Sequence, residues 1–221
     1  MRLFALIVFA AASLPAETLD GVLARMNTAA TNFKSQTAKV RRLIHTAVIN
    51  ESETESGTMR VRREKGNDFQ VLIEITGPQP KAAAFNGRKV EVYYPKIATV
   101  QEFDAGKNRD MLVQFFLLGF ASTRDQLERD YTLKLLPPEN IGGSPAAHLE
   151  LVPKSKQLLQ HFKRAELWIG SNGYPAQQKF HQSGGDYQMV TYSDVRINVA
   201  LPDNDLRLKL PPGVKREYPQ R

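Results

Sequence analysis

Residues 57–94 read GTMRVRREKGNDFQVLIEITGPQPKAAAFNGRKVEVYY, and this stretch decides the fold class. Short runs rich in Val, Ile, Thr and aromatic residues alternate in it with turn signals. The predicted strands are Gly57–Glu64, Phe69–Thr76 and Lys89–Tyr94, and the turn signals are Lys65–Asp68, Gly77–Pro80 and Asn86–Gly87. Because neighbouring parallel strands need a crossover helix and these connections are tight, the pattern predicts an antiparallel meander.

The same period-two pattern extends along the chain on both sides of this stretch. The further predicted strands are Ser35–Asn50, Thr99–Phe103, Thr132–Leu136, Ala147–Pro153, Arg164–Ile169, Ala176–His181, Tyr187–Val195 and Asp205–Leu210. A sheet of roughly ten strands must curl or close on itself. We therefore expect a mainly β protein with helices, of the α+β class, built on one curled antiparallel sheet.

Three segments have a helical pattern instead. Residues 19–33 are amphipathic and follow Thr18, which is placed as an N-cap. The pattern of residues 108–119 predicts a helix that is apolar on every side. A third helix begins after Thr123, at a capping box. Residues 154–162 fit either a loop or a helical turn.

The all-apolar helix cannot lie on the surface of the sheet, because its outer side would then face water. It must be covered on both sides or face something that is not protein. Two arrangements satisfy it: an ordinary filled core, or an apolar cavity closed by the helix as a lid. Arg63 favours the cavity, because it shares strand parity with Met59 and Val61, and a buried guanidinium needs a partner such as the carbonyls of a closed lid. The alternative is that Arg63 lies in water at the strand end.

The N-terminus differs from the rest of the 221 residues. Arg2, the apolar run Leu3–Ala12 and the small residue Ala16 form the pattern of a cleaved signal peptide. A retained N-terminal anchor is the alternative, but the run is too short to cross a bilayer as a helix. We expect a signal peptide at residues 1–16, a single domain at 17–221 and export of the mature chain.

Composition excludes several kinds of chemistry. The chain has no cysteine, which rules out disulfides, thiolate catalysis, cysteine-ligated zinc, iron–sulfur clusters and a lipidated N-terminal cysteine. The four histidines are isolated in sequence: His45, His148, His161 and His181. No nucleophile elbow, dinucleotide-binding or P-loop motif occurs. We therefore predict no catalytic residues, no metal and no cofactor, and expect that the protein is not an enzyme.

The formal net charge is +7 and falls to +6 when residues 1–16, which contain Arg2 and no acid, are removed. A basic exported protein could meet nucleic acid, an anionic glycan or anionic lipid headgroups. The basic residues are nevertheless scattered among 23 acids, and no aromatic platform accompanies them. We expect no nucleic-acid partner.

Several short motifs, in this order and spacing, resemble the outer-membrane lipoprotein carrier family, which is LolA-like. The motifs are Gly57–Arg63, Ile73-Glu74-Ile75, the hairpin Asn86–Pro95 and the closing Leu208–Val214. Two positions depart from the family pattern and indicate a divergent member: Glu64 stands where the family has a proline, and Glu91 stands where it usually has a tryptophan.

This resemblance implies a periplasmic carrier with an incomplete antiparallel barrel, closed by a helical lid, that holds acyl chains in its cavity. Family members take acylated lipoproteins from an inner-membrane ABC transporter and pass them to an outer-membrane acceptor. The absence of cysteine is compatible only with the shuttle, since the family's acceptors are themselves lipidated. A periplasmic lipid-sensing regulatory domain is the alternative function, and an uncharacterised hydrolase is a third without positive evidence. We expect a monomer.

The predicted site combines a cavity wall with a latch. Arg63 occupies the place of the family's lid-latching arginine, which follows a basic residue on the second strand. The predicted lipid-binding residues are Met59, Val61, Val71, Ile73, Val92, Leu112, Phe115 and Phe116.

Overall fold

A computed structural model describes residues 17–65, 68–106 and 115–219. Twelve strands in these residues form one sheet in the order β12-β6-β5-β4-β3-β2-β1-β11-β10-β9-β8-β7. The strands are β1 (Ser35–Thr46), β2 (Glu51–Arg63), β3 (Phe69–Ile75), β4 (Lys81–Asn86), β5 (Lys89–Tyr94), β6 (Thr99–Asp104), β7 (Tyr131–Ile141), β8 (Ser144–Pro153), β9 (Arg164–Ile169), β10 (Pro175–His181), β11 (Tyr187–Ile197) and β12 (Lys215–Glu217).

All neighbouring strands are antiparallel except β12, which pairs in parallel with β6. Strands β1 to β6 form a meander on one side, and β7 to β11 form a second one that joins the first where β11 pairs with β1. The sheet curls without closing, since β7 and β12 are its two edges. This confirms the predicted fold class, an open antiparallel barrel with helices.

The described helices are α1 (Leu19–Asn32), α2 (Arg124–Asp130) and α3 (Lys156–Leu159), and 3₁₀ turns lie at Pro95–Ile97, Ser183–Gly185 and Asp203–Leu206. The Thr18 side chain caps α1 by accepting from the Gly21 N–H. Thr123 and Gln126 form the predicted capping box of α2. None of these helices in the described ranges is long and apolar enough to span a bilayer.

Helix α1 fills the concave side of the sheet and touches both meanders. Its first three turns bury Val22, Leu23 and Met26 against the leucine-rich strands β8 and β9. Its last turn and the following Phe33 pack instead on the inner face of β1 to β3. The helix therefore bridges the two halves of the sheet through one continuous apolar stripe.

Some predicted strands differ from the structure. The predicted strand Asp205–Leu210 is wrong, because residues 203–206 form a 3₁₀ turn that buries Leu206. Prolines at 202 and 211 bracket this segment, and proline limits ladder pairing. Strand β4 was not predicted, since its Ala-Ala-Ala core has low strand propensity. Strand β2 begins earlier than predicted, at the polar run that opens with Glu51.

Candidate functional site

A cavity of about 340 Å³ lies between the concave face of the sheet and residues 115–116. Its described wall residues are Val40, Arg42, Met59, Ile73, Ile75, Lys81, Ala83, Phe85, Val92, Tyr94, Phe115, Phe116, Gln178, Phe180, Gln188, Val190 and Tyr192. The wall is dominated by aliphatic and aromatic side chains, with a few polar groups among them. This is the composition of a site for an apolar ligand.

Strand register explains why these side chains converge. Met59 of β2 pairs with Ile73 of β3, Ile73 pairs with Ala83 of β4, and Ala83 pairs with Val92 of β5. Residues in register across antiparallel strands share one face of the sheet. The four side chains therefore form a continuous apolar row across the floor of the cavity.

Residues Phe115 and Phe116 cover this floor, and residues 115–117 are helical. The Phe116 ring lies 4.7 Å from that of Phe85, and the Phe115 ring lies 4.3 Å from that of Phe180, measured between centroids. The two phenylalanines thus contact strands β4 and β10, which belong to different meanders. Aromatic side chains form the described part of the cavity cover.

Five of the predicted lipid-binding residues lie on the cavity wall: Met59, Ile73, Val92, Phe115 and Phe116. Leu112 and most of the predicted helix at 108–119 lie outside the described residues. The signal peptide at 1–16 lies outside them as well.

Val61 and Val71 do not line the cavity and are corrections to the predicted site. They pair with each other nearer the turn between β2 and β3, where the concave face is covered by the end of α1 and by Phe33. Both are almost fully buried in the core cluster there. Strand parity placed them on the correct face, but it could not show which part of that face α1 occupies.

Gln178 is a site residue that the sequence did not reveal. Its side chain is buried, donates a hydrogen bond from Nε2 to the Leu118 carbonyl and accepts one from the Tyr192 hydroxyl at 2.7 Å. Burial raises the pKa of Tyr192, so this hydroxyl keeps its proton and remains a donor. The network ties the segment after Phe116 to strands β10 and β11. The available signal was that Gln178 shares strand parity with Phe180.

Arg63 does point to the concave side, where burial lowers the pKa of its guanidinium. Its Nη2 donates to the Ala30 carbonyl at 3.1 Å, near the C-terminal end of α1. The guanidinium also lies 5.8 Å and 5.4 Å from the ring centroids of Phe33 and Phe69. Among the described residues this side chain therefore bonds to α1, whereas most of the expected partner, the predicted helix at 108–119, lies outside them.

Helix α1 is a favourable partner for a cation at this end. The last carbonyls of a helix lack intrahelical donors and carry partial negative charge. Arg63 places a charged donor there and stacks on two aromatic faces, each of which stabilises a guanidinium. Within the described residues its Nε has no hydrogen-bond partner, so α1 and the rings are what hold it.

The two departures from the family pattern do not touch the cavity. Glu64 pairs with Arg62, which also binds Asp203. Glu91 lies on the opposite face from Val92 and pairs with Lys89 and Arg216. Both glutamates thus form ion pairs on the outer face of the sheet.

Two histidines that are isolated in sequence meet on the outer face of the sheet. His148 Nε2 lies 2.8 Å from Glu166 Oε2, and His181 Nε2 contacts the other oxygen of the same carboxylate. In the ranges that the structure describes, no group of three His, Cys, Asp or Glu side chains could hold a metal ion. The cluster is a buried hydrogen-bond network, which its separate sequence positions did not predict.

This cluster makes stability depend on pH. Burial lowers the pKa of His181 below 6.5, so the unfolded state takes up the proton first as pH falls. The contribution of neutral His181 to the free energy of unfolding is therefore full above pH 6.5. It is lost as pH falls from 6.5 through the pKa of His181 in the folded state. Burial opposes ionisation of Glu166, but hydrogen bonds from His181 and His148 outweigh it and lower its pKa below 4.5, which extends the loss to more acidic pH.

We expect His181→Gln to reduce the loss of stability just below pH 6.5, because glutamine can still donate to Glu166 but does not titrate. The measurement is the melting temperature as a function of pH. His161→Gln is the matched control, since His161 is exposed, and it should melt like the parent at each pH. Parallel pH profiles for the parent and His181→Gln would contradict the assignment.

No family model matches the sequence. No curated protein matches it either. Solved structures do match, and the chain resembles three of them in fold at 12–15% identity.

A crystal structure of MucB is 14% identical, with a TM-score of 0.53 over 86% of this chain and 62% of that one. An uncharacterized conserved protein from Thermus thermophilus is 12% identical, with a TM-score of 0.54 over 90% of this chain and 98% of that one. The lipoprotein LppX of Mycobacterium tuberculosis is 15% identical, with a TM-score of 0.50 over 84% of this chain and all of that one.

The fold and its cavity thus define a class, the open antiparallel barrels with a helix on the concave side. Within that class this chain has a divergent LolA-like fold. This chain spans 62% of the length of MucB, so the likeness concerns only that part of MucB.

Proposed function

We propose that this protein is a periplasmic carrier that shields acyl chains in its cavity and shuttles them between the inner and outer membranes. The observation that carries the proposal is the apolar floor of Met59, Ile73, Ala83 and Val92 under an aromatic cover. Each acyl methylene removed from water contributes about 0.8 kcal/mol, so a chain binds by area alone without bond chemistry.

Release requires the cavity to open. The proposed latch is Arg63, because its bond to the Ala30 carbonyl joins strand β2 to α1. Ligand and cover compete for the same apolar surface, so a modest free-energy difference between open and closed forms suffices for transfer. The cargo would be a lipid or an acylated lipoprotein, and the resemblance supplies the expected donor and acceptor: an inner-membrane ABC transporter and an outer-membrane acceptor.

Exposed apolar side chains support contact with membranes. Val48, Ile49 and Ile97 lie on two turns, after β1 and after β5. Since β1, β3 and β5 run in the same direction, both turns lie at the same end of the strands. Val48 is 90% exposed, although most of its surface is apolar. Large exposed apolar residues on one side of a protein are typical of interaction sites.

We expect the double substitution Val48→Ser with Ile49→Ser to weaken binding to lipid vesicles by about tenfold, because two apolar side chains can then no longer enter the interface. Vesicle flotation measures this. Val152→Ser, on strand β8, is the control because that valine is also exposed. Unchanged flotation of the double variant would show that the turn after β1 does not contact the membrane.

Native mass spectrometry of the protein purified without detergent tests the function itself. A co-purifying lipid or acylated lipoprotein supports the carrier. An apolar cavity that takes up no acyl chain, even when lipid is supplied, contradicts it.

A second candidate is a periplasmic lipid-sensing regulatory domain. The observation that favours it is the likeness to MucB, a protein that has been crystallised in complex with MucA(peri). Transfer assays between two vesicle populations separate the candidates. A carrier moves lipid from donor to acceptor vesicles, whereas a sensor retains it.

A further inference from the structure

Among the described residues of the cavity wall, Arg42 and Lys81 carry a charge, and both contact the carboxylate of Glu55, which lies behind them. Arg42 Nε donates to Glu55 Oε2 at 2.8 Å, and Lys81 Nζ donates to Glu55 Oε1 at 2.8 Å. The Glu55 side chain is only 3% exposed, whereas those of Arg42 and Lys81 are 28% and 32% exposed. The carboxylate is thus buried behind two cations that face the cavity.

The sheet register brings these residues together on the concave face. Arg42 of β1 pairs directly with Glu55 of β2. Lys81 opens β4 and pairs with Ile75, the last residue of β3. Arg42 has the same strand parity as Val40, and Lys81 has the same parity as Ala83, both of which line the cavity.

The group carries a net charge of +1. Burial opposes ionisation of Glu55, but hydrogen bonds from Lys81 and Arg42 outweigh it and hold its pKa below the ordinary value, so all three residues are charged. The next acid on this face of β2, Glu53, is exposed. Lysine and arginine offer eight N–H donors together. Among the described residues Glu55 accepts one from Lys81 and two from Arg42, so donors remain for a ligand.

A buried ion group is poorly explained by stability alone. Desolvation of the charges offsets their attraction, and apolar side chains of similar volume often stabilise a protein as well or better. An excess cation on the wall of a mainly apolar cavity is, however, complementary to a ligand with an anionic end. The volume of about 340 Å³ lies near the lower limit for small-molecule sites, which fits one chain better than several.

We infer that the cavity binds a single-chain amphiphile whose anionic headgroup, a carboxylate or a phosphate, contacts Arg42 and Lys81 while its acyl chain lies along Ile73 and Ala83. This inference rests on the proposed lipid-binding function and names its ligand class. Glu55 orients the two cations and does not touch the ligand.

Calorimetric titration with ten-carbon probes tests the inference. The protein should bind decanoate and decyl phosphate about tenfold more tightly than decanol, the value of one charge-assisted hydrogen bond. Lys81→Met should remove this preference, whereas Lys81→Arg should keep it. Lys89→Met is the matched control, because Lys89 is also a strand lysine paired with glutamates but lies on the outer face.

Each other outcome is decisive. Decanol binding as tightly as decanoate, or full anion preference in Lys81→Met, would overturn the headgroup site and leave the carrier function standing. Failure of all three probes to bind would overturn both. Inorganic phosphate binding as tightly as decyl phosphate would show a site for free anions and overturn the amphiphile.

Discussion

Ala83→Trp is expected to weaken acyl-chain binding by at least about a hundredfold. Ala83 lies in the middle of the apolar row across strands β2 to β5, and its small side chain leaves room above the floor of the cavity. An indole there would occupy the space of about four methylenes, each contributing about 0.8 kcal/mol to binding. The loss of about 3 kcal/mol corresponds to about two orders of magnitude in Kd.

The neighbouring alanine supplies a matched control. Ala82 is adjacent on the same strand and its side chain points to the opposite face of the sheet. Ala82→Trp adds the same indole outside the cavity and should leave binding of a fluorescent fatty acid near the parental value. Equal binding by both variants would show that the chain does not occupy the cavity, and equal loss in both would point to damage to strand β4.

Arg63→Leu is expected to change the rate of lipid release by about tenfold or more while the fold is retained. The substitution removes a hydrogen bond from a charged donor to the end of α1, which is worth about 1.5–3 kcal/mol, and two contacts with aromatic faces. Leucine fills much of the volume and needs no partner, so the sheet itself should tolerate it. Stopped-flow transfer of a labelled lipid to acceptor vesicles measures the rate.

Arg62→Leu is the corresponding control on the other face. Arg62 binds Glu64, Asp203 and the Leu201 carbonyl, and none of these contacts involves α1. Its removal should lower stability without altering release. If Arg63→Leu transferred lipid at the parental rate, α1 would not be latched through this residue.

The sequence predicted most of the sheet because its signals are local. Alternating apolar residues and tight turns identify strands such as β5 and β9, whose bounds match the prediction. Two strands were not predicted from the sequence, and each has a physical reason. Strand β4 is held by its neighbours despite an alanine-rich sequence, and β12 is a three-residue strand whose pairing with β6 involves residues distant in sequence.

The candidate site was only partly predictable. Strand parity identifies which face Met59 and Ile73 occupy, and this required no knowledge of contacts. Parity says nothing about where along that face α1 lies, which is why Val61 and Val71 were assigned to the cavity. The charged group of Arg42, Glu55 and Lys81 joins three strands, so only the register of the folded sheet brings it together.

The pairing of β11 with β1 has a consequence for how the protein folds. It joins Gln36 to Ile197, so loop closure over most of the chain precedes completion of the sheet. Such high contact order slows folding. Since β10 and β11 supply Gln178, Phe180 and Tyr192 to the cavity, a nascent chain lacking them has an incomplete cavity wall. The proposed lipid binding therefore requires that β10 and β11 have been synthesised and paired.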